Sequence, residues 1–153
     1  MIRCSPADAS AVRAFLSEAD LTLAGLDDPS LRLWMMLDDT GSIAGTTGFE
    51  LAGSHALIRS VAVRPSLRGT GLGLQLARFA LSQAFDAGAT TAWLFSRRSG
   101  PFWQKVGFSP ADRSALAVAL QSTLQVQLFV ATGQLEREVA WSTPLPVLTP
   151  VAD

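Results

Sequence analysis

The chain has 153 residues, of which 48% are hydrophobic and 16% charged, with a formal net charge of -1. That is enough length and apolar content for a single domain over residues 1–153 with its own core, and too apolar for a disordered chain. The near-neutral balance, with no Lys/Arg run longer than Arg97-Arg98, leaves no electrostatic footprint for nucleic acid. Cys4 is the only cysteine, which forbids an intramolecular disulfide, and one Cys with one His argues against a zinc site. The opening Met1-Ile2-Arg3-Cys4-Ser5-Pro6 has no signal-peptide apolar region, and no apolar run is long enough to span a bilayer. The expectation is a soluble cytoplasmic protein with no metal, no membrane contact and no nucleic-acid partner.

In chain order, residues 1–4 read as a short β-like opening. Ser5-Pro6-Ala7-Asp8 then reads as a helix start, with Ser as N-cap, Pro at the first helical position and an acid in the first turn. Val12, Phe15, Leu16 and Ala19 form its apolar stripe, and the helix should end near Asp20. Residues 21–29 are apolar but punctuated by Gly25 and Pro29. Leu31, Leu33, Met35 and Leu37 alternate with Arg32, Trp34 and Met36, a strand pattern. Asp38-Asp39-Thr40-Gly41 is a turn, and 43–51 the next strand, weakened by Gly45 and Gly48. Ala52-Gly53-Ser54 closes a hairpin into a strand over 55–63. A helix from Gly71 carries Leu72, Leu76, Phe79, Ala80 and Ala84 on one face and stops at Gly88. Residues 91–95 read as a buried strand and 100–106 as a short helix ended by Gly107. Residues 115–129 lack a clean period, which favours a helix, or helix plus loop, over their first part. Residues 134–142 read as the last strand, and Pro144, Pro146 and Pro150 mark an irregular tail.

Residues 57–87 organise the rest. A strand runs into the turn Arg64-Pro65-Ser66-Leu67, and then Arg68-Gly69-Thr70-Gly71-Leu72-Gly73 opens a helix. Glycines let backbone turn tightly and approach a ligand. A helix start leaves N–H groups unpaired and slightly positive. Together they form an anion cradle with Arg68 at its mouth. A Walker loop would need Lys-Ser or Lys-Thr after its last glycine, where Leu74-Gln75 stands, and the glycine spacing is wrong for a dinucleotide fingerprint.

Arg68-x-x-Gly71-x-Gly73 resembles the Arg-x-x-Gly-x-Gly segment with which the GNAT N-acetyltransferase superfamily holds the pyrophosphate of acetyl-CoA. Val61-Ala62-Val63 upstream, and Phe102-Trp103-Gln104-Lys105-Val106-Gly107-Phe108 downstream, resemble two further family segments, the second being Phe-Tyr-x-x-x-Gly-Phe. The resemblance covers roughly residues 1–110. It implies an α/β (α+β) acyl-CoA N-acyltransferase fold, a mixed, mostly antiparallel sheet flanked by helices, with strands four and five splayed to admit pantetheine. It implies that Val61 and Val63 pair with pantetheine amides like an added strand. The implied cofactor contacts are Val61, Ala62, Val63, Arg68, Gly69, Thr70, Gly71, Leu72, Gly73, Phe102 and Lys105. The implied activity is direct acetyl transfer from acetyl-CoA to the amine of a small, amino-acid-like molecule. Protein or peptide N-acetylation is the alternative, as is a non-catalytic acyl-CoA-binding module. Related domains often dimerise, and the apolar C-terminal third offers a surface for a homodimer.

Transfer to an amine needs a route for its proton, a donor for the oxyanion and an acid for the departing thiolate. The resemblance implies the backbone N–H of Val61 as oxyanion donor. The family's usual Tyr acid is Trp103 here, and the chain has no tyrosine. An indole N–H donates hydrogen bonds but is no practical proton source. Ser96 or Ser99, or water, would stand in, although either serine can instead cap the short helix. For the base, His55 and Glu50 compete. Histidine is the side chain that exchanges protons near neutral pH. Glu50 is a charge inside an apolar strand, and a two-residue hairpin turn would place it opposite Leu57, facing the site; a three-residue turn would face it away. Strand alternation puts His55, Leu57 and Arg59 on one face, and Ala56, Ile58 and Ser60 on the other. Arg59 could hold a substrate carboxylate or pair internally with Glu50.

Overall fold

The computed structural model describes residues 1–147 apart from Ala24 and Asp27. Pro150, the last proline of the expected tail, lies outside the described residues. In order the elements are β1 (Ile2–Arg3), α1 (Ala9–Glu18), β2 (Leu31–Leu37), β3 (Ile43–Ala52), β4 (His55–Val63), α2 (Leu72–Asp86), β5 (Thr91–Phe95), α3 (Gly100–Val106), β6 (Ser109–Ala111), α4 (Arg113–Ala119), α5 (Leu124–Thr132) and β7 (Ala140–Pro144). The strands form one sheet in the order β1-β2-β3-β4-β5-β7-β6. β4 and β5 run parallel, and every other pairing is antiparallel.

Helices cover both faces. On one face Ala77, Ala80, Leu81 and Ala84 of α2 and Trp103 and Val106 of α3 pack onto Phe49, Ala56, Ile58, Ala92 and Leu94. On the other, Val12 and Leu16 of α1 meet Leu31, Leu33 and Ala62, while Leu116, Leu120 and Val126 of α4 and α5 close over Leu57. Coverage on both sides explains why Trp34, on the polar-alternating register of β2, is buried beside Leu33 and Met35. Ser5 starts the first helix as expected: its N–H donates to Asp8 Oδ2 at 2.8 Å, and a 3-10 turn, Pro6–Asp8, precedes α1.

The C-terminal third departs from the sequence expectations. The final strand is Ala140–Pro144 rather than 134–142, because Gln134–Arg137 forms a 3-10 turn. Residues 113–132 form two helices, and the second lacks a sequence period because its residues are apolar nearly all round. The three-residue β6 was not anticipated. Ser-Pro-Ala shows no alternation, and Pro110 is tolerated there because β6 is the outer strand of the sheet.

The hairpin register resolves one alternative. Ala52 pairs with His55, so the turn is the two residues Gly53-Ser54, and Glu50 lies opposite Leu57. Alternation along β4 then fails at one point. Gly48 pairs with Arg59 but Thr46 pairs with Ala62, so β4 carries one extra residue there. Ser60, at φ 61°, absorbs it. Beyond this bulge Ala62 joins the α1 face while Val61 packs on the α2 face. The expectation that Ser60 simply continues the Ala56–Ile58 face is therefore replaced by a left-handed kink at that residue.

Candidate active site

The site grows from the parting of two strands. Parallel pairing of β4 with β5 runs His55↔Thr91, Ala56↔Ala92 and Leu57↔Trp93, and stops. β5 turns instead to β7, with which it pairs through Phe95↔Ala140. Residues 58–63 of β4 therefore keep β3 on one edge and, among the described residues, have no strand on the other. An unpaired strand edge is a row of donors and acceptors to which an extended, amide-bearing chain can add.

The anion cradle lies at the end of this edge. Arg64 is fixed by donating to Ile43 O at 2.7 Å and by an ion pair with Asp38 at 2.8 Å. Pro65–Leu67 makes a 3-10 turn, and Thr70 Oγ1 donates to Leu67 O at 2.6 Å, closing the loop on itself. Gly69 and Gly71 have φ 80° and 88°, and a methyl group on either would meet nothing within 4 Å, so both face open space in a conformation that favours glycine. Gly71 is the N-cap of the 15-residue α2, and no side chain caps that helix. Its first N–H groups thus face the same open space as Arg68, which is exposed. A Cβ on Gly73 would sit 3.5 Å from the Phe102 ring and 3.6 Å from Val63, so these three converge at the throat between β4, α2 and α3. Lys105 is exposed in the last turn of α3. An open depression of about 380 Å³ adjoins the cradle, between Phe15 and Glu18 of α1, Asp38, and Val63, Arg64 and Arg68.

The register puts Glu50 and His55 two positions apart on one face of the β3–β4 hairpin, and Ser99 stands at the start of α3. Glu50, 2% exposed, accepts from Arg59 Nη1 at 3.0 Å, from the Leu124 N–H at 2.6 Å and from the Gln125 N–H at 3.2 Å. Arg59, 4% exposed, also donates to Thr22 O at 3.2 Å, and Gln125 Nε2 donates to Thr22 Oγ1 at 2.9 Å. Of the two readings of Arg59, the geometry realises the internal pair. Burial pulls the Arg59 pKa below its ordinary value, and the Glu50 charge opposes that shift. Glu50 and Arg59 are thereby the hub that joins β3, β4, the 21–29 segment and the start of α5. Thr22 and Gln125 were not anticipated in this cluster. They stand 103 residues apart, and neither carries a local motif.

His55 sits at the closed end of the splay, with Nδ1 accepting from Trp93 Nε1 at 3.1 Å. An indole nitrogen only donates, so the neutral imidazole carries its proton on Nε2. Ser60 is five residues away, about 17 Å of strand. Ser99 occupies the N-cap position of α3 and is exposed, but its hydroxyl makes no capping bond; its N–H instead donates to Ser96 Oγ at 3.1 Å. Trp103 is buried, edge-on to Phe102 and Phe108 with centroids 4.9 and 5.4 Å apart. It fills a packing position.

Parted central strands beside an uncapped, glycine-lined helix start form a cleft that ends in an anion cradle. Residues 5–108 match the model of the acetyltransferase (GNAT) family, and the chain belongs to that family. It is an acetyltransferase, and acetyl-CoA is its co-substrate. The fold is similar to that of the N-acetylglutamate synthase of Neisseria gonorrhoeae, solved with coenzyme A and L-arginine (TM-score 0.73, 15% identity), covering 94% of this chain but only 32% of that one. It is also similar to a GNAT-family acetyltransferase of Staphylococcus aureus (TM-score 0.72, 13% identity, 94% and 97% covered). A third likeness is Rv2747 of Mycobacterium tuberculosis, solved with CoA and NLQ (TM-score 0.68, 15% identity, 94% and 97% covered). Among curated protein sequences nothing matches. No helix among the described residues is long and apolar enough to cross a membrane.

Proposed function

We propose that the chain transfers acetyl from acetyl-CoA to the amino group of a small, amino-acid-like molecule by direct attack. The observation that carries this is the unpaired edge of β4 over 58–63, ending in the Gly69–Gly71 cradle. Pantetheine amides would pair with Val61 and Val63, with Ala62 between them. The pyrophosphate would meet the Gly69, Thr70, Gly71, Leu72 and Gly73 backbone and Arg68. Phe102 would pack on the arm at the throat, and Lys105 would stand toward the nucleotide phosphate.

A small acceptor is favoured over a peptide because α4, α5 and Thr22 cover the sheet face beside Leu57 and Arg59, where a peptide would need an open groove. An amino-acid-like acceptor is in keeping with the fold likeness to a protein solved with N-acetyl-glutamate (TM-score 0.66, 15% identity, 32% of that chain covered). In the reaction the acceptor nitrogen bonds the thioester carbon as the C–S bond breaks, and the proton shed by nitrogen ends on the CoA thiolate. The Val61 N–H would hold the oxygen charge. Glu50 is committed to protein partners and His55 Nδ1 to Trp93, while Ser99 is exposed; Ser99 or Ser96, working with water, would move the proton.

Calorimetric titration with acetyl-CoA tests this reading on the parent and on Arg68→Ala and Gly71→Glu. Binding by the parent, weakened at least about tenfold in both variants, is the expected result. A folded parent that binds no acetyl-CoA would remove the cofactor placement. A thiol-release panel of free amino acids and short peptides then assigns the acceptor, and faster turnover of peptides would overturn the small-molecule reading. In the same assay Ser99→Ala should slow turnover; an unchanged rate leaves the proton to Ser96 or to water.

A further inference from the structure

The extra residue in β4 decides which amides face the open edge. The Arg64 N–H donates to Ala44 O at 2.9 Å, so Ala44, and by alternation Thr46 and Gly48, turn their peptide groups toward β4. Gly48 stands opposite Arg59. Carried on without a slip, that register would set Val61 opposite Thr46 and spend its N–H on the ladder. Instead Ala62 takes the place opposite Thr46, and Ser60 and Val61 have no partner in the β3–β4 register. By the same alternation Val63, opposite Gly45, turns its N–H away from β3.

One side chain holds this arrangement. Thr46 is fully buried, and its Oγ1 donates to Ser60 O at 2.7 Å. Ser60 O and the Val61 N–H belong to one peptide unit, which is trans. In a trans peptide the C=O and the N–H point in opposite directions. A bond that draws Ser60 O toward β3 therefore turns the Val61 N–H toward the free edge. A hydrogen bond accepted by a C=O also polarises the N–H of the same peptide and makes it the better donor. Ser60 is held at φ 61°, a conformation that a non-glycine residue keeps only when its surroundings over-determine it, and the Thr46 bond is part of those surroundings.

We propose that Thr46 is a positioning residue for acetyl transfer: by holding Ser60 O, its hydroxyl aims the Val61 N–H at the thioester carbonyl oxygen of bound acetyl-CoA. The hydroxyl touches neither substrate nor cofactor and gives up no proton. It acts through the 60–61 peptide, whose N–H stabilises the negative charge that develops on oxygen as the acceptor nitrogen adds. This rests on the cofactor placement given under Proposed function.

The test is thiol release from acetyl-CoA with the best acceptor of the amine panel, beside calorimetry of CoA, on the parent, Thr46→Val, Thr46→Ser and Thr123→Ala. Valine keeps the shape and strand preference of threonine without the hydroxyl, and serine keeps the hydroxyl. Thr123→Ala loses a buried hydroxyl bond in α5 rather than beside the β4 edge, and so controls for lost stability. The expected result for Thr46→Val is a kcat lower by about tenfold or more, with CoA affinity within about threefold of the parent's. Thr46→Ser should recover kcat to within about threefold of the parent, and Thr123→Ala should keep it within about twofold. A Thr46→Val that keeps the parent's kcat, a Thr46→Ser that recovers none of the loss, or a Thr123→Ala that loses as much would each overturn the inference. The parent gives a second reading that needs no variant. On saturation with acetyl-CoA the Val61 amide proton should move further downfield in NMR than on saturation with CoA, and equal shifts would also overturn the inference. If the parent binds neither ligand, the cofactor placement itself fails, and this inference fails with it.

Discussion

At the residue scale, two charged clusters do unlike work. Glu50 and Arg59 are both nearly inaccessible and form an ion pair at 3.0 Å. Breaking one half of such a pair strands the other charge in a low-dielectric interior, whereas replacing both can be nearly neutral. Glu50→Gln should cost about 3–5 kcal/mol in urea denaturation, and Glu50→Leu with Arg59→Met markedly less than the sum of the single changes. A Glu50→Gln protein within about 1 kcal/mol of the parent would show that the pair is not the hub its geometry indicates. Asp38 is the contrasting case, at the surface. Its carboxylate accepts from Thr40 Oγ1 at 2.6 Å and pairs with Arg64, and these bonds hold its pKa well below the usual carboxylate range, the Thr40 hydroxyl contributing most. A depressed folded-state pKa adds stability that is present above the unfolded value, about 3.9, and is lost as pH falls through the folded value. The stability gap between the parent and Asp38→Asn should therefore be constant near neutrality and shrink in denaturation series run below about pH 4. A gap that is flat down to pH 2 would contradict the assignment.

At the element scale, what was legible in the sequence was local and what was not is non-local. The 57–87 strand, turn and helix could be read because Pro65, Gly69, Gly71 and the α2 stripe each specify their own neighbourhood. The Glu50 position could be narrowed to two registers but not chosen, since a single turn residue decides it. The bulge at Ser60 left no trace, because Leu-Ile-Arg-Ser-Val-Ala-Val alternates acceptably as a regular strand; the bond that holds the kinked backbone comes from Thr46 on the neighbouring strand. Nor could α5 be placed. Its start is fixed by Glu50, 74 residues earlier, and by its own N-cap Thr123, whose buried Oγ1 donates to Leu120 O at 2.6 Å and accepts from the Val126 N–H at 3.4 Å. Thr123→Ala removes both bonds at a buried cap and should cost about 1–2 kcal/mol by urea denaturation. Amide exchange in α5 should quicken selectively. Loss of the same stability with uniform exchange across the sheet would mean that α5 does not open as a separate unit.

At the scale of the whole molecule, the sheet is two panels held together at one short seam. β1 to β4 form one panel, β5, β7 and β6 the other, and only three parallel pairs, His55↔Thr91 to Leu57↔Trp93, join them. The helices reinforce the seam unequally. α4 and α5 clamp Leu57 to Ala140 on one face, and α3 packs with α2 on the other, but the throat at Gly73, Val63 and Phe102 has no strand across it. A ligand that fills the throat therefore adds cross-panel contacts that the free protein lacks. Binding to the folded state alone raises stability by RT ln(1 + [L]/Kd), about 2.7 kcal/mol at a hundredfold excess over Kd. For a chain of this size, that corresponds to a rise in Tm of roughly 5–10 °C. Acetyl-CoA should thus raise Tm steadily with concentration, and exchange protection should rise most for the amides of 58–63, whose second edge it covers. Free adenosine, which lacks the arm, should leave both unchanged. A Tm that rises equally with adenosine, or protection that appears outside the throat and cradle, would mean that the ligand seats elsewhere and that the two panels are bridged by protein alone.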